Sequence, residues 1–453
     1  MQNGKTDVVI IGAGLTGLTT AFYLRKYGKT VNVIEKDTHV GGVIQTHREK
    51  GFVFESGPNT GVLSSPEAAE LLEDVADECK LEIADETAKR RWVWKGDSWK
   101  ELPSGLMGGI TTPLFSLKDK FRILGEPFRK TGDNPDETLE QLVRRRMGKS
   151  FLQYAVDPFI LGIYAGDPSY LVPRYALPKL YNLEQDYGSF IGGAIKKSKE
   201  PKPEREKKAT KDVFSVEGGL SNLTNAIARK IGEENIIPGN QKLSISKTDG
   251  GYRVKYDSDE IETDKVIFTG GSHALDGIFE FLSQDDVDKV DNLLYARGVQ
   301  VALGFNQWKG REVNAFGGLV PFKEQRDVLG VLLPSAFLKG RAPEKGALLT
   351  VFLGGVRRPS EVDKSDEAIL EMTENEVKQM MVMPDFKPDL VRIFRYQHAI
   401  PQYGKSSGGR LAKIKELEQK HPGLVLAGNM RDGIGMADRI KQGRQIADAI
   451  GGK

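Results

Sequence analysis

The chain has 453 residues, 28% of them charged and 39% hydrophobic, a length above what one hydrophobic core usually supports, so we expect two or three domains. Lys and Arg (65) nearly balance Asp and Glu (63), which removes any general electrostatic argument for nucleic-acid binding. With one cysteine, Cys79, and five scattered histidines, the sequence excludes an intramolecular disulfide and offers no cluster of metal ligands.

The first predicted elements are a strand, a glycine turn and a helix. An apolar run at 8–11 predicts a buried parallel strand, and the three glycines that follow suit a dinucleotide pyrophosphate, which needs close backbone approach at a helix N-terminus. Glu35 ends a second predicted strand at 31–34, where its carboxylate can accept hydrogen bonds from the adenosine ribose. We predict a dinucleotide site, the alternative being a turn that only packs helix on strand. The residues assigned to it are Gly12, Gly14, Leu15, Thr16, Gly17, Glu35 and Lys36.

Two more glycines, Gly41 and Gly42, come shortly after the acid and allow the backbone to pass close to the ribose. An acid at position 35, instead of a neighbouring Arg, disfavours NADP. The cofactor is therefore FAD or NAD at this point of the chain.

The stretch from about 91 to 211 is mainly helical by pattern. Its last part, 196–211, is rich in Lys, Glu and Pro, and we expect a solvated loop there because it cannot bury enough apolar surface to order itself. The alternative for this run is contact with an anionic membrane surface. The apolar stretch at 106–117 is too short to span a bilayer, so it either packs inside the domain or makes a monotopic membrane contact.

Strands and helices alternate again after residue 211. A strand and glycine turn at 212–220, a helix at 222–231 and strands at 241–246, 252–256 and 265–269 are expected to return to the cofactor domain. Strands at 298–305 and 346–353 suggest a second sheet, which we predict to be the substrate domain. Near the C-terminus, a strand at 424–427, a Gly-Asn turn and a helix at 436–450 follow.

Four motifs together carry a family resemblance. They are FESGPNT (54–60), DPFILGIYAGDP (157–168), ALPKLYNLEQDYGSFIGG (176–193) and GNMRDGIGMAD (428–438). With them the chain resembles, over nearly its whole length, the FAD-dependent protoporphyrinogen and coproporphyrinogen III oxidases, which are amine-oxidase-like flavoproteins.

The resemblance implies an α/β fold with a discontinuous, glutathione-reductase-like FAD-binding Rossmann domain at 1–90, 212–285 and 396–453. It implies an α+β substrate-binding domain at 286–395 and a mainly helical insertion at 91–211, whose association with a membrane is left open. FAD is the implied cofactor, and the C-terminal helix would face the flavin ring with its N-terminal N–H groups. Besides the residues already named, the implied FAD contacts are Gly57, Pro58, Asn59, Leu243, Gly428, Asn429, Ile434, Gly435 and Met436.

The implied reaction is the six-electron oxidation of protoporphyrinogen IX to protoporphyrin IX in haem synthesis, with O2 as oxidant and H2O2 as by-product. Hydride would pass to the flavin N5, and we identify no catalytic acid or base because pyrrole protons can leave to water or by tautomerisation. Arg91 is the implied partner of a propionate, with Arg90 as a rival for the register. The other implied substrate residues are Leu303, Leu319, Phe337, Asn59, Gly162 and Gly166. For each of these residues the alternative is an ordinary role in packing or in a turn. The family has Phe-Pro where this chain has Phe337-Leu338, so the chain departs from the family's pattern at this loop.

Three other functions compete with this one. A coproporphyrinogen III oxidase would need extra cations for two more propionates, which Arg174 or Lys179 would supply. An amine oxidase or carotenoid desaturase would share only the FAD fold, and a nucleotide-binding regulatory protein would lack redox turnover.

The expected partners are a porphyrinogen and O2, with no nucleic acid and no metal. The first strand begins within a few residues of the N-terminus, so we expect no targeting segment and a cytoplasmic location. Peripheral contact with the inner face of the cell membrane, contact with the next haem-pathway enzyme and homodimer formation are left open.

Overall fold

Strands from three distant parts of the chain form the first sheet of the computed structural model, which describes residues 5–103, 112–240 and 242–452. They are β1 (Lys5–Ile11), β2 (Val31–Ile34), β10 (Ile236–Ile237), β11 (Leu243–Thr248), β12 (Gly251–Tyr256), β13 (Asp259–Phe268) and β19 (Leu424–Leu426). The order is β10-β2-β1-β13-β12-β11, with β19 also paired to β13. Strands β10, β2, β1, β13 and β19 pair in parallel, and β11 to β13 form an antiparallel meander. The predicted discontinuous α/β nucleotide-binding fold is confirmed.

The second sheet is almost entirely antiparallel. Its strands are β7 (Arg91–Lys95), β8 (Ser98–Glu101), β14 (Leu294–Phe305), β15 (Gly317–Leu319), β16 (Val328–Leu332), β17 (Ala347–Gly354) and β18 (Leu390–Gln402). They follow the order β18-β14-β17-β16-β15-β7-β8, and β15 and β7 form the parallel pair. Two small sheets pair β3 (Gln45–Glu49) with β4 (Phe52–Ser56), and β9 (Val213–Val216) with β5 (Gly61–Val62) and β6 (Leu81–Ile83).

Helices connect and cover these sheets. In the described residues the longer ones are α1 (Leu15–Lys26), α2 (Pro66–Asp74), α3 (Leu117–Leu124), α4 (Leu139–Arg146), α6 (Asp157–Tyr164), α8 (Pro178–Tyr187), α9 (Phe190–Ser198), α11 (Ser221–Ile231), α12 (Gln284–Asp291), α13 (Asp366–Met380), α14 (Ser407–Lys420) and α15 (Met436–Gly451). The short ones are α5 (Lys149–Phe151), α7 (Pro173–Ala176) and α10 (Glu204–Lys207), and a π-helical turn at Leu152–Val156 joins α5 to α6.

Helix α15 packs directly on α1, so the two ends of the chain meet. Thr16 Oγ1 and Thr20 Oγ1 donate hydrogen bonds to the Arg439 and Gly443 carbonyl oxygens, both at 3.3 Å. A Cβ at Gly443 would lie only 2.7 Å from the Thr16 carbonyl oxygen, so glycine permits this close approach. The first glycine turn and the C-terminal motif are thereby held in one part of the molecule.

Two predicted domain boundaries fall inside the second sheet. Strands β7 and β8, which the predicted boundaries place in the helical insertion, are a hairpin at the edge of that sheet. Residues 396–402, which the predicted boundaries place in the FAD domain, are the last part of β18. Strand pairing over long sequence separations decides both boundaries, and local patterns do not contain that information.

The basic segment 196–211 is almost entirely exposed to solvent, as predicted, but parts of it are helical and not loop: its start completes α9, and α10 follows. Arg205 pairs with Glu70 at 2.7 Å and Lys208 pairs with Glu73 at 2.5 Å, so the segment lies against the acidic side of α2. Its predicted contact with a membrane stays a prediction.

The apolar stretch at 106–117 lies in part outside the described residues. Across 5–103, 112–240 and 242–452, no helix combines the length and apolar character needed to cross a bilayer.

Candidate active site

The glycine turn between β1 and α1 leaves room for a phosphate group. Gly12 has a φ of +102°, and a Cβ there would lie 2.8 Å from Thr269 Oγ1, whereas a Cβ at Gly17 would collide with the Gly12 carbonyl. Gly14 differs, because a Cβ there would meet no atom within 4 Å. Gly14 is the N-cap of α1 and brings no side chain to the orphan N–H groups of the first turn. The open space at a helix N-terminus fits the pyrophosphate of a dinucleotide.

The carboxylate of Glu35 is fixed beside this turn. It is 7% exposed and accepts hydrogen bonds from the backbone N–H groups of Ala13 (2.6 Å) and Asp37 (2.9 Å). Among the other predicted contacts here, the Leu15 and Thr16 side chains are buried, and Lys36 is exposed. The carboxylate is therefore placed to accept hydrogen bonds from the hydroxyl groups of a ribose.

The Gly-Gly loop runs over the same turn. Gly41 has a φ of +99° and donates its N–H to the Ala13 carbonyl oxygen at 2.8 Å, and a Cβ at Gly42 would lie 3.5 Å from the Gly14 Cα. Leu243 begins β11 shortly after Asn240, whose N–H donates to the Glu35 carbonyl oxygen at 3.0 Å. The structure therefore brings Gly41, Gly42 and Asn240, which lies just before Leu243, close to Glu35, the acid predicted to bind the ribose.

The C-terminal motif wraps around the N-terminus of α15. Gly428, with a φ of +86°, donates its N–H to Gln442 Oε1 at 2.9 Å, and Asn429 accepts two hydrogen bonds, from the hydroxyls of Tyr295 (3.2 Å) and Tyr403 (2.6 Å). Gly435 is the N-cap of α15. Ile434 is half-buried and Met436 is buried. This segment is held rigidly where we predict the flavin ring.

Gly57, Pro58 and Asn59 join the two large domains. Gly57 has a φ of +90° and donates its N–H to Gln300 Oε1 of β14 at 3.2 Å. Asn59 Oδ1 accepts a hydrogen bond from the Thr350 hydroxyl of β17 at 3.2 Å. Strand β5, which starts two residues later, contacts α15. The segment thus lies between the second sheet and the C-terminal helix.

The pairing registers of the second sheet show which side chains share its face toward Asn59. Arg91 pairs with Gly317, Gly317 with Leu332, Leu332 with Thr350, and Thr350 with Ala302, so these positions point to one side. Leu319 follows Gly317 by two residues and points the same way. Arg91, Leu319, Leu332 and Thr350 therefore share one face.

Leu303 lies on the opposite face. It is fully buried in the core that contains Val301, Phe305 and Ile369 of α13. The structure does not bring it to the other predicted substrate residues, which favours its alternative as a core residue. Leu332, which the sequence reasoning missed, lies on the correct side. Counting the two-residue period outward from Leu319 through the pairing register could have found it, had the register been known.

Arg91 and Phe337 belong to one stacked group. The Arg91 guanidinium lies 5.3 Å from the centroid of the Phe316 ring, and Phe316 stacks on Phe337 with centroids 4.8 Å apart. Leu332 packs in the same cluster. Arg91 is exposed and has no ion-pair partner in the described residues, yet partial desolvation lowers its pKa. Its rival Arg90 instead donates to the Asn314 carbonyl oxygen at 3.3 Å.

The two predicted glycines of the insertion allow close packing. A Cβ at Gly162 in α6 would collide with the Leu319 side chain, which places these two predicted residues in contact. A Cβ at Gly166 would reach Gln402 Oε1. The cations proposed for extra propionates are engaged elsewhere: Arg174 pairs with Asp136 at 2.7 Å, and Lys179 Nζ lies 3.5 Å from the Ser64 carbonyl oxygen.

A separate cleft of about 550 Å³ opens beside Phe337. Its lining includes Glu82, Asp85, Lys339 and Arg341. Because its walls carry both signs of charge and include neither Arg91 nor Asn59, we keep the candidate site on the sheet face. In the described residues no three His, Cys, Asp or Glu side chains are grouped as metal ligands.

Comparisons with known proteins agree with this geometry. The family model of flavin-containing amine oxidoreductases matches residues 15–451. Protoporphyrinogen oxidase 1 of Arabidopsis thaliana is 30% identical over 98% of this chain and 87% of its own length. Coproporphyrinogen III oxidase of Bacillus subtilis is 28% identical over 99% of both chains. A crystal structure from Exiguobacterium sp. 255-15, provisionally assigned as a protoporphyrinogen oxidase, superposes with a TM-score of 0.82 at 22% identity over 99% of both chains.

The glycine turn, the fixed acid and the Gly-Gly loop fit FAD, and the family match agrees. The predicted cofactor and the predicted oxidoreductase class are confirmed. The chain belongs to the flavin-containing amine oxidoreductases, in the branch of protoporphyrinogen and coproporphyrinogen III oxidases.

Proposed function

We propose that this protein oxidises protoporphyrinogen IX to protoporphyrin IX in haem synthesis, with FAD as cofactor and O2 as the final oxidant. The observation that carries the proposal is the sheet face on which apolar Leu319 and Leu332 share a side with one exposed guanidinium, Arg91, next to the stacked rings of Phe316 and Phe337. A porphyrinogen is flat and apolar, with propionates at one edge, so this combination is complementary to it.

Different residues of the site would contact different parts of the substrate. Leu319, Leu332 and Phe337 would hold the macrocycle by apolar contact and ring stacking, and Arg91 would bind a propionate through two parallel hydrogen bonds. Bound FAD would supply the two-electron acceptor for three successive oxidations. Each oxidation removes two electrons and two protons, and O2 takes them up as H2O2. Apart from Arg91, the residues proposed here to contact the substrate are neutral, so pyrrole protons would leave to water or by tautomerisation without a protein base.

Coproporphyrinogen III is the second candidate substrate, because the Bacillus subtilis relative is named for it. Its two additional propionates need further cations. Arg174 is paired with Asp136 and Lys179 contacts a backbone carbonyl, which favours the substrate with fewer carboxylates.

A side-by-side fluorescence assay tests the choice. The purified yellow protein is given protoporphyrinogen IX and coproporphyrinogen III in air, and porphyrin formation and H2O2 are followed. We expect the higher kcat/KM with protoporphyrinogen IX and about one H2O2 for each pair of electrons removed. A higher kcat/KM with coproporphyrinogen III would identify that compound as the preferred substrate. Failure to oxidise either compound with FAD bound would overturn the proposal.

We also infer that helix α3 makes the peripheral membrane contact. Four large apolar side chains are 52% to 92% exposed at helical spacing on α3 and the turn after it. They are Leu117, Phe121, Leu124 and Phe128. At 100° per residue, Lys118 and Lys120 flank this stripe on its two sides, the arrangement of a helix lying in an anionic membrane surface.

Vesicle sedimentation tests this contact. Holoenzyme should bind vesicles of phosphatidylglycerol and phosphatidylcholine more strongly than pure phosphatidylcholine. Phe121→Ser should weaken binding roughly tenfold, since one buried side chain contributes about 1.5 kcal/mol or more. Ile195→Ser removes another exposed apolar side chain, 53% exposed, on a different helix and should leave binding unchanged. Equal binding of Phe121→Ser and the unaltered protein would refute the contact.

A further inference from the structure

A buried polar chain crosses from the second sheet to the segment beside the predicted flavin. Thr350 is fully buried, and its hydroxyl lies 3.2 Å from Asn59 Oδ1. Asn59 Nδ2 donates to the Gly57 carbonyl oxygen, also at 3.2 Å. A hydroxyl buried at an interface between domains needs a partner, and here the partner is an amide of the candidate site.

The direction of the Asn59 amide follows from these contacts. The Gly57 carbonyl can only accept, so the amide group that faces it must be the NH2 end. A flipped amide would set two acceptor oxygens against each other. Asn59 Oδ1 must therefore face Thr350, and the Thr350 hydroxyl must donate.

Gln300 fixes the other half of the same turn. It is 3% exposed, accepts the Gly57 N–H at 3.2 Å and donates to the Glu55 carbonyl oxygen at 2.6 Å. Both polar groups of Gly57 are thus engaged, its N–H by Gln300 and its carbonyl by Asn59. Thr350 and Gln300 lie on neighbouring strands, on the same face of the sheet.

One N–H group of the Asn59 amide remains for the site. Oδ1 accepts from Thr350 and one Nδ2–H is occupied by the Gly57 carbonyl oxygen, so the second Nδ2–H is the donor that this side chain still offers. Oxidised flavin offers acceptor atoms along its N5 and O4 edge, whereas the pyrrole N–H groups of a porphyrinogen are donors. A fixed donor therefore matches the flavin edge and not the pyrrole N–H groups.

We propose that Thr350 and Gln300 are positioning residues that hold the Asn59 amide as a hydrogen-bond donor to the flavin. The inference rests on the placement of the flavin beside Gly57 and Asn59 that underlies the proposed function. It adds that the second sheet, through Thr350 and Gln300, orients the hydrogen bond that Asn59 donates to the cofactor. No proton or electron passes through these two residues.

The test compares Thr350→Val, which keeps the shape and loses the hydroxyl, with Thr350→Ser, which keeps the hydroxyl. Purified holoenzymes are compared by visible absorption spectrum, flavin midpoint potential and steady-state kinetics. In Thr350→Val we expect shifted absorption maxima, a changed midpoint potential and a roughly tenfold loss of kcat with KM changed less than twofold. Thr350→Ser should restore the spectrum and most of kcat.

Two further variants separate positioning from stability. Thr373 is a fully buried threonine in α13 that bonds within its own helix, so Thr373→Val is a matched control and should leave the flavin spectrum unchanged. Gln300→Met should shift the spectrum and potential in the same direction as Thr350→Val, which keeps the test available if one variant does not fold.

The spectrum and potential need no substrate, so they test the inference even if neither porphyrinogen is oxidised. A spectrum and potential unchanged in both Thr350→Val and Gln300→Met would overturn it. So would a Thr373→Val spectrum that shifts as much as that of Thr350→Val.

Discussion

Replacing Arg91 by alanine tests the proposed propionate anchor. Hydrogen bonds to charged groups contribute about 1.5–3 kcal/mol each. Because the residue is exposed, solvent screening reduces the two hydrogen bonds together to about 1.5 kcal/mol, even though partial desolvation lowers the pKa of the guanidinium. Loss of this energy corresponds to roughly a tenfold rise in KM. Since the anchor lies away from the reacting carbons, kcat should change less than about threefold.

Matched variants separate charge from packing. Arg91→Met keeps an aliphatic stem against the Phe316 ring without the charge, and should raise KM about as much as Arg91→Ala. Arg90→Ala is the control, because Arg90 is the adjacent arginine and is engaged with the Asn314 backbone. Initial rates of porphyrin fluorescence over a range of substrate concentrations give both constants. An unchanged KM in Arg91→Ala, or a larger rise in Arg90→Ala, would refute the assignment.

Three further outcomes are expected. Gly14→Ala should leave the melting temperature of the FAD-free protein unchanged but lower its FAD affinity, because the Cβ would enter only the open phosphate space. Gly17→Ala should fail to fold normally, because its Cβ would strike the Gly12 carbonyl. Thermal melting of the FAD-free proteins and flavin titration distinguish the two variants, and equal behaviour would contradict the phosphate site at this turn. Leu303→Ala should lower the free energy of unfolding by about 2–5 kcal/mol and leave KM unchanged, while Leu332→Ala should mainly raise KM. Denaturant melts and steady-state kinetics check both variants. The reverse pattern would restore Leu303 to the site. Burial raises the pKa of Cys79 to about 11, so only about one thiol in a thousand is ionised at pH 8, and a thiol reagent should label the native protein slowly and the denatured protein fast.

The parts of the molecule that local chemistry decides could be predicted from the sequence. Gly12, Gly17 and Glu35 act within one turn and two adjacent strands, so their spacing alone contains the geometry. Leu303 shows the limit, because a strand alternates faces every residue and only the pairing register tells which face meets the substrate.

The other differences between prediction and structure also arise from contacts between residues that are distant in sequence. The hairpin of β7 and β8 joins a sheet whose other strands lie nearly two hundred residues away or more, which no local pattern indicates. The segment 196–211 forms ion pairs with α2, a partner that its composition does not reveal. The links from Thr350 and Gln300 to the Gly57–Asn59 turn could not be found either, because they depend on how two domains sit against each other.

The packing of α15 on α1 has a consequence for biosynthesis. Ribosomes make α1 among the first residues and α15 about 410 residues later, so a nascent chain contains the phosphate-binding turn long before the helix that completes the cradle. If α15 completes the flavin site as proposed, cofactor loading is a late event, coupled to docking of the last helix. A truncation that removes α15 should then yield a colourless polypeptide even though every Rossmann glycine is intact.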